Sequence, residues 1–452
     1  MEIYRVGGSV RDQLLGKVPS DLDYVITGMT SEDIIEMEKQ GYKQVGLDFP
    51  VYLHPETGDE YAIARIERKT GLKHTDFEMM FDSSVTIEED LLRRDLTINA
   101  IAVSLKDESI IIDPYNGRDD IKNKVLRHVS DAFAEDPLRV LRLARFMAKF
   151  TDFTVADETL KMVRKMVRKG ELNHLSPDRV WEETKKALLC EKPSRYIDAL
   201  DAFGALEYVF PSVLKMKGIP QRADYHAEGD VYVHNQLVLD KASEISMHLK
   251  DNDKLLVRIG VLFHDIGKPY SSHDDLYNKD GTPKGNHHGH DKKELVEEKI
   301  KEAAAKIRMP NEYRDFAIDV AAQHQKIHAL TDPKNGLSGS KVVKMFDEIG
   351  LKNNLNKNLN YVENLLMACH ADSLGRKLNL TGVIIEPPQD YPQAKWFLRY
   401  ANEYLDTKKE LAEWVEKYKQ RNEKDPDGNM IKIRVVEIRV NKMNRAKKDL
   451  QN

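Results

Sequence analysis

Two aspartates, Asp21 and Asp23, stand one residue apart in the segment DLDYVI near the start of the 452-residue chain. Side chains two positions apart on a strand point to the same face, so the spacing predicts two carboxylates aimed together. Adjacent carboxylates repel each other unless a divalent cation lies between them, and a ligand set made only of oxygen suits Mg²⁺. The alternative is that Asp21 caps a turn after Pro19 and that Asp23 is merely exposed.

A glycine pair precedes these aspartates in the segment VGGSVRDQLLG. Gly7 and Gly8 allow a backbone approach that a Cβ atom would block. Their successive N–H groups could also form a nest that binds an anion. Arg11, about one helical turn further on, could reach a triphosphate; otherwise it forms a surface ion pair with Asp12.

The elements that must position these groups are of two kinds. Up to about residue 125, alternating and β-branched segments predict one mostly antiparallel sheet, with helices at VRDQLLG and SEDIIEMEKQ. The strand segments are IYRV, DLDYVIT, PVYLHP, EYAIARIE, TINAIAVSL and SIIIDPY. From about residue 131 the periodicity is helical, with loops or boundaries at 216–230, 270–290 and 331–340. The sequence therefore predicts an α+β fold with a small sheet domain followed by a long helical body.

Composition narrows the class of protein. A hydrophobic content of 41% with 32% charged residues is typical of a soluble globular protein, and the length predicts roughly two to four domains. Neither a signal peptide nor a membrane-spanning run is evident. Two distant cysteines, Cys190 and Cys369, favour a reducing cytoplasm over a disulfide framework. The net charge of -5 confines any RNA affinity to a local basic face.

The combination GGSVRDQLLG…SDLDYVI resembles the nucleotidyltransferase superfamily that includes DNA polymerase beta. Within it, the chain resembles the class II tRNA nucleotidyltransferases, which are the CCA-adding enzymes and their bacterial poly(A) polymerase relatives. The resemblance implies a polymerase beta-like head at 1–125, a helical neck at 126–215, a body at 225–375 and a helical tail at 376–452. It also implies that Asp21 and Asp23 are catalytic and hold two Mg²⁺ ions.

Further motifs resemble the family in order. In DLLRRDLTINAIAV, Arg94 would bind the incoming nucleotide, and Asp95 and Asn99 would hold the ribose or the local backbone. Taken alone, Arg93 and Arg94 would be solvated charges before a strand. A third carboxylate is common in the superfamily, and Glu60 and Asp95 are candidates for it.

The segment EDPLRVLRLARF resembles the part of the family that selects nucleotides. Cytosine and adenine present an amine donor beside a ring-nitrogen acceptor, which match the carboxylate of Asp136 and the guanidinium of Arg139. Uracil and guanine would set a carbonyl against Asp136, and an unpaired buried acceptor costs roughly 1–3 kcal/mol. Arg142 and Arg145 would continue the site toward the phosphates. Without the resemblance, Asp136 is an N-cap, Pro137 the first helical residue and the arginines a basic helix edge.

Supporting features are implied on either side of that segment. Arg179 and Glu183, at i and i+4 in SPDRVWEE, would orient the template residues. DPYNGRDDI would be a hinge with Gly117 as its flexible point, bracketed by Asp113 and Asp120. The segment 65–78 would be the loop needed to switch from C to A, or an ordinary charged hairpin. The segment LKMVRKMVRKG would contact RNA through a basic run, or the run is an ordinary solvated helix face. The residues of this run are Arg164, Lys165, Arg168 and Lys169.

A second site is implied by LLVRIGVLFHDIGK, which resembles the HD-domain metal phosphohydrolases. The resemblance assigns metal ligation to His264 and Asp265, with His234 upstream and Asp372 downstream; a lone histidine there would be a core residue. Extra ligands would be His290 and, more weakly, His324. Mixed imidazole and carboxylate ligation suits Ni, Mn, Co, Zn or Fe better than Mg.

The resulting expectation is a CCA-adding tRNA nucleotidyltransferase that uses CTP and ATP, acts on the acceptor stem and 3′ end of tRNA, and carries an HD phosphohydrolase domain. Tail segments such as WFLRYANEYL would contact tRNA or pack as amphipathic helices. We expect a cytoplasmic monomer or homodimer with no membrane partner. The alternatives are a poly(A) polymerase, an HD phosphohydrolase with an RNA-binding head, and a nonenzymatic tRNA chaperone.

Overall fold

The computed structural model describes residues 1–19, 21–45, 51–69, 77–80, 84–332, 337–351, 359–380, 382–422 and 424–451. These residues fold into two compact units. Unit 1 comprises Met1–Ala187 and Arg195–Tyr208, and unit 2 comprises Leu188–Ser194 and Val209–Asn452. The division of the chain into four domains stays a prediction. Among the described residues, no helix combines the length and the apolar character needed to cross a bilayer.

Unit 1 begins with a mixed sheet of seven strands within the described residues, in the order β3-β4-β5-β2-β1-β8-β9. Its strands are β1 (Glu2–Val6), β2 (Asp23–Thr27), β3 (Lys43–Val45), β4 (Val51–Leu53), β5 (Glu60–Ile63), β8 (Ala102–Ser104) and β9 (Ile111–Ile112). Only β2 and β5 pair in parallel; the other neighbours are antiparallel, as expected. The register pairs Val6 with Asp23, which brings the glycine turn after β1 beside the start of β2.

Two predicted strands differ from the structure. Residues 60–67 do not form one strand, because the chain leaves the sheet after β5 and continues as β6 (Ile66–Lys69), which pairs with β7 (Phe77–Met80). The tip of the predicted loop, residues 70–76, lies outside the described residues. Residues 97–99 form a short 3₁₀ turn before β8 begins at Ala102.

The helices of unit 1 follow local signals in the sequence. Thr30 and Thr86 each form a capping box, the first with Asp33 and the second with Glu89, and these begin α2 and α3. The helices are α1 (Gly8–Leu14), α2 (Ser31–Lys39), α3 (Ile87–Leu92), α4 (Gly117–Asn123), α5 (Leu138–Lys149), α6 (Asp157–Arg168), α7 (Pro177–Leu188), α8 (Ser194–Phe203) and α9 (Leu206–Val209). A two-stranded parallel ladder joins β10 (Val125–Leu126) to β11 (Thr154–Val155).

Unit 2 is mostly helical. Its helices are α10 (Pro211–Leu214), α11 (Val231–Ile245), α12 (Asp251–Phe263), α13 (His273–Leu276), α14 (Lys293–Ile307), α15 (Asn311–His328), α16 (Gly339–Ile349), α17 (Leu359–Gly375), α18 (Pro392–Leu405), α19 (Lys408–Asn422) and α20 (Gly428–Gln451). A small hairpin joins β12 (Leu378–Leu380) to β13 (Val383–Ile385). In the tail, α18 buries Phe397, Tyr400 and Tyr404, so this helix packs as an amphipathic element.

Two glycines allow the helices of unit 2 to cross closely. A Cβ atom at Gly260 of α12 would lie 2.8 Å from the Phe316 ring of α15. A Cβ atom at Gly375 of α17 would lie 2.6 Å from the Cα atom of Val238 on α11. A side chain at Gly375 would therefore force two backbones apart, whereas one at Gly260 would displace the packed side chains of Phe316 and Val320.

Candidate active sites

A cavity of about 630 Å³ in unit 1 brings the predicted nucleotide site together. Both aspartates of the opening motif line it, although their residues come from different kinds of structure. Asp23 is the first residue of β2, whereas Asp21 lies in a bend before that strand begins, so the predicted strand is shorter at its start. The other predicted residues that line the cavity are Gly7, Gly8, Arg11, Arg94, Asp95, Asn99, Asp136, Arg139, Arg142, Arg145 and Arg179.

The carboxylate of Asp23 lies in an environment that opposes its charge. Burial raises its pKa, the nearby charge of Arg94 lowers it, and the neighbouring charge of Asp21 raises it again. The net effect is a raised pKa, which is the expected effect of desolvation together with a nearby like charge. A divalent cation would offset both effects, so the two aspartates fit an oxygen-ligated metal.

The glycine turn lies against this carboxylate. Gly7 has a φ of 69°, and a Cβ atom there would lie 3.0 Å from Arg94 Nη1 and 3.8 Å from Asp23 Oδ2. Gly7 is the residue that precedes α1, and Gly8 is its first residue. Arg93 and Arg94 are not solvated charges, because both bind the buried Asp90, at 2.5 Å and 3.1 Å.

A chain of hydrogen bonds links α1, which begins at the glycine turn, to α5, which carries the arginines of the predicted nucleotide site. Arg11 donates to Asn99 Oδ1 at 2.6 Å and also pairs with Asp12 at 2.7 Å, but Arg11 is buried, so this is not the surface ion pair of the alternative prediction. Asn99 donates to Asp95 at 2.9 Å, and Arg142 binds the other oxygen of Asp95 at 2.7 Å. Burial opposes ionisation of Asp95, but Arg142 and Asn99 outweigh it and hold the pKa of Asp95 well below its usual range.

The segment predicted to select nucleotides has two sets of contacts. Asp136 accepts a hydrogen bond from the backbone N–H of Leu138 at 3.1 Å and from Arg179 Nη2 at 2.8 Å. Helix α5 begins at Leu138, so Pro137 precedes the helix instead of being its first residue. Arg139 donates to two backbone carbonyls, at 2.7 Å and 2.5 Å, which position its guanidinium.

Glu183 contacts two arginines that line the same cavity. Its carboxylate lies 2.6 Å from Arg145 Nε and 3.5 Å from Arg142 Nη1, and its side chain is 5% exposed. The two residues of α7 that the sequence singled out therefore contact residues of α5: Arg179 contacts Asp136, and Glu183 contacts Arg142 and Arg145.

The candidates for a third carboxylate differ in their surroundings. Glu60 is the register partner of Asp23 across the parallel pair β2–β5 and is exposed. Asp95 lines the cavity, but Arg142, Asn99 and the N–H of Leu96 already bind its oxygens. The choice between Glu60 and Asp95 stays open.

The segment predicted as a hinge is tightly packed. Asp113 accepts hydrogen bonds from the backbone N–H groups of Gly117 and Arg118, at 2.7 Å and 3.0 Å. Asp120 accepts one from the Thr97 hydroxyl at 2.7 Å. A Cβ atom at Gly117 would lie 2.2 Å from the carbonyl oxygen of Thr97, so the glycine here permits a close contact between chain segments.

The predicted HD residues of unit 2 come together in its interior. His234 belongs to α11, His264 and Asp265 follow α12, and Asp372 belongs to α17. His234 Nε2 lies 3.1 Å from Asp372 Oδ1, and His264 Nε2 lies 3.1 Å from Asp265 Oδ2. The nitrogens of His234 and His264 and an oxygen of Asp372 all lie within 4.8 Å of one another, as a metal would require.

The two weaker candidates complete a second group around Asp265. His290 Nε2 and His324 Nε2 each lie 3.6 Å from Asp265 Oδ1. Among the described residues, these two nitrogens and Asp265 Oδ1 are buried without a hydrogen-bond partner, whereas Asp265 Oδ2 pairs with Lys268 at 2.6 Å. Buried polar atoms are rarely left unpaired, so this set of nitrogen and oxygen donors fits divalent metal ions.

Three comparisons with known proteins bear on both sites. The family model for the poly A polymerase head domain matches residues 3–127, that for the "Probable RNA and SrmB- binding site of polymerase A" matches 152–216, and that for the HD domain matches 231–361. A multifunctional CCA protein of Paraburkholderia phymatum is 44% identical over 380 residues, which cover 83% of this chain and 85% of the relative. The chain belongs to the multifunctional CCA protein family. It is therefore a tRNA nucleotidyltransferase that carries an HD domain.

Other matches agree with this family. A multifunctional CCA protein of Shewanella frigidimarina is 44% identical over 400 residues, 88% of each chain. Among solved structures, a CCA-adding enzyme in apo form II has a TM-score of 0.65 at 20% identity, covering 98% of this chain and 88% of its own. A Thermotoga maritima CCA-adding enzyme complexed with tRNA has a TM-score of 0.58 at 18% identity, covering 100% and 90%. At these identities the structures show the fold alone, and they confirm the predicted α+β class.

Several residues around the HD site had no role in the sequence-based prediction. His328 Nε2 lies 2.8 Å from Asp372 Oδ2, and Tyr391 lies 3.0 Å from the other nitrogen of that histidine. Glu228 lies 2.9 Å from His234 Nδ1, and Lys268 lies 2.6 Å from Asp265 Oδ2. His328 lies four residues after His324 on α15, so helical spacing could have predicted that both histidines face the HD site. No such spacing in the sequence points to Glu228.

The basic run predicted to bind RNA lies at the end of α6 and just beyond it. Arg164, Lys165, Arg168 and Lys169 are all exposed, as both readings of the run require. Arg164 donates to the carbonyl of Ala202 at 3.1 Å. Contact of this run with RNA stays a prediction.

Proposed function

We propose that this member of the multifunctional CCA protein family adds or repairs the 3′-terminal CCA of tRNA, using CTP and ATP and releasing pyrophosphate. The observation that carries the proposal is a single cavity that holds two acidic residues, Asp21 and Asp23, beside the Asp136 and Arg139 pair. Membership of the family supports it, and solved CCA-adding enzymes of the same fold contain CTP, ATP or tRNA. The cytoplasmic location and the monomeric or homodimeric state stay predictions.

Asp21 and Asp23 would hold Mg²⁺, which when bound would activate the tRNA 3′-hydroxyl and neutralise the triphosphate. The protein's own contribution is positional. Arg94, fixed by Asp90, and Arg11, fixed by Asn99, would bind the phosphates beside the glycine turn. Both guanidiniums are anchored through carboxylate or amide oxygens, so little side-chain entropy is lost when a nucleotide binds.

Asp136 and Arg139 would read the nucleobase. Arg179 holds the Asp136 carboxylate at 2.8 Å, and two carbonyls hold Arg139, so both groups are positioned before the nucleotide arrives. A base with an amine donor beside an acceptor pairs with them. Uracil and guanine would leave Asp136 facing a carbonyl, a mismatch that costs roughly 1–3 kcal/mol.

The transfer function is tested with the double variant Asp21→Ala, Asp23→Ala on a tRNA that lacks CCA. We expect incorporation from both CTP and ATP to be lost, because the metal ligands are gone. The variant Asp107→Ala, an exposed aspartate on a loop of unit 1, should transfer normally. Retained CMP transfer in the double variant would overturn the proposal, and wild-type incorporation of AMP alone would indicate a poly(A) polymerase.

We also propose that the HD domain is a metal-dependent phosphohydrolase that opens 2′,3′-cyclic phosphates and cleaves phosphomonoesters. Ni, Mn, Co or a similar ion would be held by His234, His264, Asp265 and Asp372, with His290 and His324 on the second oxygen of Asp265. Such ions polarise the phosphoryl group and activate water. The protein then supplies positive charge for the substrate phosphate, since Lys268 lies beside Asp265 in the cavity.

The hydrolase is tested by removing metal and restoring Ni²⁺ or Mn²⁺, with 2′,3′-cyclic AMP as substrate. Opening the ring consumes one water, breaks one P–O bond and yields a phosphomonoester. Asp265→Asn should lower both hydrolysis and the metal content measured by atomic emission, while CMP transfer by unit 1 continues. Full metal content with normal hydrolysis in that variant would contradict the ligand assignment, and a wild-type protein inert with every metal would contradict the activity.

A further inference from the structure

An exposed aromatic residue lines the cavity of unit 2 without taking part in the HD ligand group. This cavity has a volume of about 340 Å³, and Asp265, Asp372 and Tyr225 all line it. Tyr225 is 52% exposed. A half-exposed tyrosine at the rim of a polar cavity offers a flat apolar surface that water would leave when a planar ligand binds.

The chain around Tyr225 holds the ring in place. The N–H of Tyr225 donates to the carbonyl of Arg222 at 3.2 Å, and the N–H of His226 donates to the same oxygen at 2.9 Å. The guanidinium of Arg222 lies 5.0 Å from the ring centroid, within the range of a cation–π contact. The turn therefore presents the arginine and the tyrosine as one unit, which we call the Arg222–Tyr225 platform.

A neighbouring carboxylate fixes the arginine of the platform. Asp224 accepts two hydrogen bonds from Arg222, at 3.2 Å from Nε and 2.6 Å from Nη2. The carbonyl of Asp224 in turn accepts from the N–H of Asn379 on β12, at 3.2 Å. This half-exposed ion pair restrains the guanidinium, so part of the cost of ordering Arg222 is met before a ligand binds.

The rest of the cavity is suited to phosphate. Lys268 is buried and lies 2.6 Å from Asp265, while Arg376 lines the same space beside His328. One part of the cavity thus holds cationic side chains and the candidate metal ligands, and another part holds a flat aromatic ring. This arrangement matches a ligand that has both a phosphate and a planar ring. A nucleotide has this combination, and aromatic and arginine side chains stack on exposed bases of single-stranded RNA.

We propose that the Arg222–Tyr225 platform is a nucleobase-binding subsite of the HD site, and that Tyr225 sets the preference of the site for substrates with a base over small phosphoesters that lack one. This inference rests on the proposed hydrolase function and adds the residues that bind the base. Stacking accepts any base, because every base has a π face. The subsite therefore selects a nucleotide end without selecting its sequence.

The test compares two five-membered cyclic phosphates that differ in the presence of a base: 2′,3′-cyclic UMP and glycerol 1,2-cyclic phosphate. Uridine is used because the Asp136 and Arg139 pair of unit 1 disfavours uracil, which limits binding elsewhere on the chain. For Tyr225→Ala we expect kcat/KM on cyclic UMP to fall roughly tenfold or more, the scale of losing one base stack. On the glycerol compound kcat/KM should stay within about twofold. Tyr225→Phe, which keeps the ring, is the matched variant and should retain the preference for cyclic UMP.

A second readout does not depend on hydrolysis. Equilibrium dialysis measures the affinity of the metal-free protein, which cannot hydrolyse the ligand, for 3′-UMP; we expect Tyr225→Ala to weaken this affinity by a similar factor and Tyr225→Phe to retain it. Equal losses on both cyclic substrates, or unchanged affinity for 3′-UMP in Tyr225→Ala, would overturn the subsite. If the wild type hydrolyses neither substrate, the hydrolase function fails, and the dialysis result still decides whether the platform binds a nucleotide. Unchanged metal content in each variant establishes that unit 2 has folded, and normal CMP transfer establishes the same for unit 1.

Discussion

Replacing Glu183 with glutamine removes one negative charge while nearly preserving the shape of the side chain. Glu183 is the shared partner of Arg145 and Arg142, at 2.6 Å and 3.5 Å, and it is buried. In Glu183→Gln one oxygen acceptor remains, but Arg145 loses its counter-charge, whereas Arg142 keeps its ion pair with Asp95. We expect Arg145 above all to shift from the position in which it would meet the nucleotide phosphates.

The size of the effect follows from burial. The side chain of Glu183 is 5% exposed and that of Arg145 is 13% exposed, whereas that of Arg142 is 34% exposed and is also held by Asp95. A hydrogen bond to a charged group contributes about 1.5–3 kcal/mol, so a loss of about 2 kcal/mol is expected for the Arg145 contact. If that loss appears in the transition state, kcat/KM for CTP and ATP falls roughly 30-fold.

The assay measures CMP and AMP incorporation on tRNA lacking CCA, together with hydrogen exchange of helix α7. The matched control is Glu182→Gln, which makes the same chemical change one residue earlier, where the side chain is 54% exposed and lies 4.0 Å from Lys185. The control should transfer nucleotides normally. Equal effects in the two variants, or normal kcat/KM in Glu183→Gln, would refute the reasoning that buried pairing positions the arginines.

Two further predictions concern the stability of unit 1. In Asp95→Asn the ion pair with Arg142 is lost. Because the pKa of Asp95 is lowered in the folded state, the stabilisation from this pair is full above the unfolded pKa near 3.8 and declines as the pH falls below it. The melting temperatures of wild type and variant should therefore differ clearly at pH 7 and less at pH 3. In Gly117→Ala the new methyl group would lie 2.2 Å from the carbonyl oxygen of Thr97, so we expect a loss of several kcal/mol in chemical denaturation, while Gly428→Ala, where nothing lies within 4 Å, should be neutral.

Patterns close together in the sequence predicted much of the transferase site. Asp21 and Asp23, the glycine turn and the arginines of α5 lie in short segments whose local patterns were recognisable, and all line one cavity, although Asp21 lies in a bend and not in the predicted strand. The mostly antiparallel sheet follows from alternation along its strands. The exact start of β2 and the break after β5 did not follow, because strand ends depend on pairing partners that lie elsewhere in the chain.

Contacts between distant segments could not be predicted in the same way. Glu228 lies beside His234 only because the loop before α11 folds back, and no residue spacing in the sequence predicts this contact. Arg139 donates to two backbone carbonyls. Because every residue has a backbone carbonyl, the sequence does not indicate which of them will accept. The sequence predicted a flexible glycine at 117, whereas packing against Thr97 explains that residue.

The close crossing of α11 and α17 has a consequence for the spacing of the HD residues that these two helices carry. At Gly375 the two main chains touch, three residues after Asp372 and one helical turn from the level of His234. A side chain at position 375 would meet both the backbone and the side chain of Val238, so the separation of His234 and Asp372 depends on this close approach of the two helices. We expect a substitution at Gly375 to move these two candidate ligands apart, whereas changes at the rim of the cavity would leave their spacing as it is.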